Sequence, residues 1–405
     1  MKTKRHSNLG TAALVAVLLL LGVAGATTGE AGGVAGAGSA AASAAEAGWS
    51  PAAPAGQLPG FLTGKVHDLS GTAAAGALDR KIEQARTDAA KTGGGAAYFA
   101  AYEFLSRTKF HSGNYSGRTD GYTVGTKDTR IRIEDKGRGK NSVSADGAEK
   151  EIPSPAAMLL LFDSSKGAAA QDVSFLDLDQ SYDFADAPVY WLGRVDNKES
   201  SAFLEKTFDS VKDDARILDS LIFAISCHEG PQARAFLKKT AAGTRPGKVR
   251  EKAIFWLGNP GDAQALADLK EIYAKEQDGA VKKQIIFAIQ LSKQKEAVEE
   301  LIRIAKQDSS QDVRKQAVFW LGQKASAECI KALKDIVEAP DSESGLKDQA
   351  VFAISQLPKD KSVPMLIDLA KANKNPEVRK KAIFWLGQSG DPAALKYFED
   401  ILLKK

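Results

Sequence analysis

The chain has 405 residues, 43% hydrophobic and 26% charged, enough for one large repeat array and a smaller domain. A formal charge of +4 gives no ground for a nucleic-acid partner or an anionic membrane surface. With two cysteines and four histidines, no disulfide scaffold is expected, and no zinc-type spacing occurs, so no metal or cofactor is expected either.

Lys2, Lys4 and Arg5 precede an apolar run from about Thr11 to Val23 that ends in Ala24-Gly25-Ala26. This pattern predicts a Sec-type signal peptide over residues 1–26, too short to span a bilayer comfortably and not followed by a lipoprotein cysteine. The expected location is periplasmic or secreted, with no membrane association after signal removal; an uncleaved N-terminal anchor is the alternative. Residues 27–59 are rich in Ala, Gly, Ser and Pro and read as a disordered tether with little to bury.

Residues 60–183 read as a small, largely antiparallel α+β domain. Ala73 to Arg86 has helical character. Tyr98 to Phe104 reads as a strand with Tyr98, Ala100, Tyr102 and Phe104 on one face, and Arg130 to Glu134 alternates more cleanly. Met158–Phe162 and Val173–Leu178 add two further candidate strands, while Ser112 to Glu151 is expected to be mostly loop.

From about residue 184 to 405 one motif recurs. Val313-Arg314-Lys315-Gln316-Ala317-Val318-Phe319-Trp320-Leu321-Gly322 has near copies at Val249–Gly258 and Val378–Gly387, with an eroded first copy ending in Tyr190-Trp191-Leu192-Gly193. Between them lie Phe223-Ala224-Ile225, Phe287-Ala288-Ile289 and Phe352-Ala353-Ile354, where Ala replaces Trp. The residue after the aromatic falls at 191, 224, 256, 288, 320, 353 and 385, a step of 32 or 33 throughout. Such a period implies stacked units, none of which can bury its apolar face alone. A second apolar-periodic segment follows each motif, as in Ala265 to Ile272, so each unit reads as a hairpin of helix A and helix B. The predicted fold is thus an α+β N-terminal domain followed by an all-α solenoid of about seven helical hairpins. Alternation of Trp and Ala suggests that bulky and small layers interdigitate.

In Asp312-Val313-Arg314, Ala317 and Leu321-Gly322, followed by a Leu-rich second helix, this region resembles the HEAT repeat family, in its short phycobilin-lyase-type form. The resemblance implies a helical solenoid. It also implies, as one function, attachment of a chromophore to a protein thiol, which export and the lack of a convincing reactive residue argue against.

No convergent catalytic set is visible. Ser226-Cys227-His228-Glu229 pairs a thiol with an imidazole, but neighbours in a helix do not face one another, and local drift of the repeat explains them better. Cys227 and Cys329 fall three repeats apart at roughly 8 to 10 Å per step, so they are predicted not to be bonded to each other.

Basic side chains recur once per repeat at Arg250, Lys282, Arg314, Lys347 and Arg379. They are read as a structural ladder of intramolecular pairs, together with Trp191, Trp256, Trp320 and Trp385. On a helical wheel Phe384 falls opposite the aliphatic arc, between Lys380 and Lys381, and Phe255, Phe287, Phe319 and Phe352 share its position. These rings, with Lys315 and Lys380, either form a partner-binding stripe or are buried between successive repeats. The functional expectation is a non-enzymatic exported scaffold that binds a protein or peptide along the solenoid. The alternative is a ligand-binding or sensing α+β domain with the solenoid as spacer.

Overall fold

The computed structural model describes residues 58–71, 77–91, 97–107, 122–124, 131–133, 153–176, 178, 181–184 and 187–403. The signal-peptide expectation, nearly all of the tether and most of the expected loop from Ser112 to Glu151 lie outside these residues. Two compact units divide between Ser200 and Ser201.

The first unit is built on a five-stranded sheet ordered β2-β9-β3-β6-β7. Its strands are β2 (Val66–Asp68), β3 (Ala97–Ser106), β6 (Ser154–Asp163), β7 (Asp172–Leu176) and β9 (Val189–Arg194). Short strands β1 (Leu62–Thr63) and β8 (Tyr182–Asp183) pair in parallel, and β4 (Tyr122–Val124) pairs antiparallel with β5 (Ile131–Ile133). Strands β3 and β6 are antiparallel along their whole length, from Ala97 opposite Asp163 to Ser106 opposite Ser154.

The sheet is mixed rather than largely antiparallel, because β9 runs parallel to both β2 and β3. Strand β3 is buried on both faces, so it lacks the polar alternation of a half-exposed strand. One face carries Phe99, Ala101, Leu159, Leu161 and Trp191 into a core with Phe184. On the other, Tyr98 stacks on Phe162 and meets Tyr190 edge-on. Helix α1 (Ala77–Lys91) packs against β3 and β9, burying Leu78, Ile82, Ala85 and Ala89 at helical spacing.

This corrects the reading of Tyr190-Trp191-Leu192-Gly193 as a first repeat: the segment is strand β9, central in the sheet. Tyr190 and Trp191 point to opposite faces, the two-residue period of a strand, and Gly193 adopts φ 80° with Ser70 too close to admit a Cβ. Trp191 therefore belongs to the core of the first unit, and the helical array begins after residue 194 rather than at 184.

The array opens with α2 (Asn197–Ser210) and continues as six hairpins. The A helices are α3 (Ala215–Ser226), α5 (Gly247–Gly258), α7 (Gly279–Leu291), α9 (Gln311–Lys324), α11 (Ser344–Ser355) and α13 (Pro376–Ser389). The B helices are α4 (Pro231–Ala242), α6 (Ala263–Lys275), α8 (Lys295–Gln307), α10 (Ala327–Glu338), α12 (Lys359–Ala372) and α14 (Pro392–Leu403).

Helix starts are fixed by side chains that accept orphan backbone N–H groups, such as Asp262 from Ala265 at 2.7 Å and Asp278 from Ala280 at 2.7 Å. In α5 the buried residues are Val249, Ala253, Ile254, Leu257 and Gly258, and in α6 Ala265, Leu266, Asp268, Leu269, Ile272 and Tyr273. Each set is one stripe of a helix, and each fully buried aliphatic side chain contributes about 1.5 to 3 kcal/mol of transfer energy.

The alternation between Trp and Ala repeats is resolved at two contacts. The glycine of a Trp-Leu-Gly motif lies against the alanine of the next motif: a Cβ on Gly258 would stand 2.7 Å from Ala288 Cβ, and one on Gly322 2.9 Å from Ala353 Cβ. The tryptophan reaches back to the phenylalanine of the preceding motif, Trp256 to Phe223, Trp320 to Phe287 and Trp385 to Phe352. Gly on Ala and Trp on Phe, rather than Trp on Ala, are the matched layers.

Candidate functional site

Two side-chain rows run along the A helices. The first is aromatic. Phe255 stacks on Phe287 at 6.1 Å with an interplanar angle of 5°, and Phe319 and Phe384 pack edge-on against their neighbours Trp320 and Trp385 at 5.0 Å. Phe255, Phe287, Phe319 and Phe352 are half-buried, as are Trp256, Trp320 and Trp385, whereas Phe384 is 54% exposed. Each ring packs on a ring of an adjacent repeat or of its own helix and is only partly covered.

Trp320 Nε1 is buried with no acceptor among the described residues, so that ring is held by its apolar contacts. Lys380 lies exposed within 4.0 Å of Glu377, and Lys315 is half-buried beside Gly345 at the start of α11. Lysines flank the row and join neighbouring A helices: Lys252 meets Asp219 at 3.1 Å and Lys381 meets Asp348 at 3.5 Å.

The second row is the basic ladder, and its side chains tie hairpins together. Arg250 donates from Nε to Ala241 O at the end of the preceding B helix, and pairs with Glu276 at the end of its own. Lys282 pairs with Asp308 at 2.8 Å, and Tyr273 donates to the same carboxylate at 2.6 Å. Arg314 donates to Asp308 O and Ser309 O and pairs with Glu343 at 2.8 Å. Arg379 donates to Asn373 O and Lys374 O.

Burial by itself would raise the Glu276 carboxyl, but the backbone N–H of Asp278, the Arg250 guanidinium and the N–H of Gln277 outweigh it, holding that carboxyl below the usual range. Asp308 is likewise held low: burial opposes ionisation, while Lys282, Tyr273 and the Ser310 N–H favour it.

The acceptors Glu276 and Asp308 escaped the sequence reading although a signal for them exists. Both lie 26 residues after their base.

Cys227 and Cys329 are both buried and form no disulfide with each other; Cys227 caps the end of α3, and His228 Nδ1 lies 2.8 Å from Ala224 O. Burial pushes the His228 imidazole down to about 4, so it is neutral at physiological pH. Among the described residues no group of His, Cys, Asp or Glu side chains could hold a metal, and no helix is long and apolar enough to cross a membrane.

Residues 234–314 and 340–405 match the family described as HEAT repeats. No curated protein matches the chain. Among solved structures, the chain is similar to human deoxyhypusine hydroxylase in complex with glycerol, with 16% identity over 51% of this chain and 91% of that one, at a TM-score of 0.25. It is also similar to the Escherichia coli protein YibA, with 21% identity over 51% and 77% of the two chains, at a TM-score of 0.32. A protein from the computational design of self-assembling cyclic homo-oligomers shares 17% identity over 51% and 72%, at a TM-score of 0.12. At these identities and scores the likenesses carry nothing about activity or partners.

Proposed function

From the match of residues 234–314 and 340–405 to HEAT repeats, we propose that this chain is a non-catalytic scaffold, exported by its N-terminal signal, whose A-helix face binds a protein or peptide partner. The observation that carries this reading is the aromatic row. Phe255, Phe287, Phe319 and Phe352 stay partly accessible and Phe384 is 54% exposed beside Ile383 at 41%, while inward positions such as Val313, Val318 and Leu321 are sealed. Half-buried aromatic rings in register, flanked by lysines, supply rigid contact area at low entropic cost, which suits them as anchors for a polypeptide.

The test is a photo-crosslinking residue placed at Phe319 or Phe384 in cells, against one at the exposed Lys270 on helix α6. Adducts to one partner from the two aromatic sites, absent at Lys270 and reduced when Phe384→Asp is combined with the Phe319 probe, support the reading. Adducts from Lys270 alone would refute it. The secretion part is tested by fractionation and by the N-terminal residue of the mature chain.

A second reading rests on a hollow of about 540 Å³ in the first unit, where His67 stacks on Tyr190 at 4.8 Å beside Asp68, Asp88 and Lys91. There the α+β domain would be the ligand binder and the solenoid its spacer. Partner capture by a chain in which the A-helix phenylalanines are substituted would favour it.

A further inference from the structure

One rung of the basic ladder is incomplete. In the two lysine-type or arginine-type rungs built on the 26-residue spacing, the carboxylate divides its work between its two oxygens. Glu276 takes the N–H groups of Gln277 and Asp278 on Oε1 and Arg250 on Oε2. Asp308 takes the Ser310 N–H on Oδ1 and Lys282 on Oδ2.

Lys347 is the same position of the next lysine repeat, and 26 residues on stands Asn373. Asn373 Oδ1 takes the Asn375 N–H at 3.0 Å, as the capping oxygen does in the other two rungs. Its other terminal atom is then an NH₂ group, a donor, which cannot accept from an ammonium. Lys347 is only 6% exposed, yet among the described residues its Nζ has no hydrogen bond or ion pair. The side chain is enclosed while its ammonium, which no acceptor of the chain covers, is left to the adjoining space, so the site can take one anionic oxygen pair.

Lys347 and Asn373 line a cavity of about 740 Å³ between α10 and α12, a size suited to a side chain or small ligand. Apolar walls come from Val337, Ile354, Met365 and Leu369. The charged groups facing the cavity are Lys334, Lys347 and Lys374 against Glu338 and Asp368. Lys334 is 3.8 Å from Glu338, and no ion pair joins Lys347 to either carboxylate. The lining therefore carries one more positive than negative charge.

We infer that this cavity is a carboxylate-binding site for a partner polypeptide: a Glu side chain enters along the apolar walls and places its carboxylate between the Lys347 ammonium and the Asn373 amide, where Asp308 supplies one from within the chain two repeats earlier. The inference deepens the scaffold reading and rests on it for the nature of the partner.

The test uses the full chain and two immobilised libraries of amidated octapeptides, one with a fixed central Glu and one with a fixed central Gln. The wild-type chain should retain peptides of the Glu library at least about tenfold more strongly than their Gln counterparts. Lys347→Met should reduce that preference to about twofold or less by removing the ammonium. Asn373→Asp should do the same by supplying the carboxylate in cis, and this variant should melt no lower than the wild type, so its loss of binding is not a loss of fold. If Glu and Gln peptides bind equally, or the preference survives both substitutions, the carboxylate site is overturned while the scaffold reading stands. If neither library binds, the carboxylate site is overturned, and the scaffold reading is decided by the crosslinking at Phe319 and Phe384.

Discussion

Gly322→Ala and Gly387→Ala place the same methyl group at equivalent points of α9 and α13, and the structure gives them opposite outcomes. On Gly322 the new Cβ would lie 2.9 Å from Ala353 Cβ, 3.1 Å from Ala353 O and 3.2 Å from Ala353 Cα. Carbon atoms are at ease at about 3.5 to 4.0 Å, and here two of the three opposing atoms are backbone, so α9 and α11 must move apart by roughly half an ångström.

Overpacking of this kind costs about 1 to 3 kcal/mol, and the better helix propensity of Ala returns about 1. Gly322→Ala should thus be destabilising by up to about 2 kcal/mol. On Gly387 nothing lies within 4 Å, so only the propensity acts and the variant should gain up to about 1 kcal/mol. The difference between the two variants isolates the packing cost, about 1 to 3 kcal/mol. Urea unfolding followed by circular dichroism measures it, provided the transition slopes agree. If Gly322→Ala proved as stable as Gly387→Ala, the close approach of glycine to alanine would not be what sets the spacing of the A helices.

The remaining expectations concern single rungs. Trp320→Ala should cost about 3 kcal/mol, whereas Trp320→Phe, which keeps a ring against Phe287 and removes an N–H that has no acceptor, should stay within about 1 kcal/mol of wild type. A loss below about 1 kcal/mol for the alanine variant, in the same urea assay, would show that the aromatic row contributes little to stability. Asp308→Asn recreates at Lys282 the arrangement found at Lys347, and should lower stability by roughly 2 to 4 kcal/mol by leaving a buried ammonium unpaired; an unchanged unfolding midpoint would count against the ladder. His228 titrates near 6.5 when unfolded and near 4 when folded. The unfolded chain therefore binds the extra proton across that window, and stability present above about pH 6.5 is lost by about 3 kcal/mol as pH falls towards 4. Urea midpoints between pH 7 and 4.5 should fall more steeply in wild type than in His228→Leu; equal slopes would mean that the imidazole is not the group responsible.

The sequence by itself determined the repeat: a step of 32 or 33, the A and B helices and the likeness to HEAT repeats follow from side chains that each unit must bury against the next, and local periodicity records that need. It also carried the acceptors Glu276 and Asp308 in a fixed spacing that is visible only once a base is known to bridge its own hairpin. What it could not decide was Tyr190-Trp191-Leu192-Gly193, whose four letters fit a repeat and a strand equally. Pairing with β2 and β3 settled that segment, since a short apolar run takes its backbone state from its hydrogen-bonding neighbours. The parallel order of β2, β9 and β3 was equally out of reach, because strand direction depends on partners distant in the chain. Only tertiary structure, too, could show Lys347 buried opposite an amide: composition records a lysine and an asparagine, while the missing acceptor is a property of the space between them.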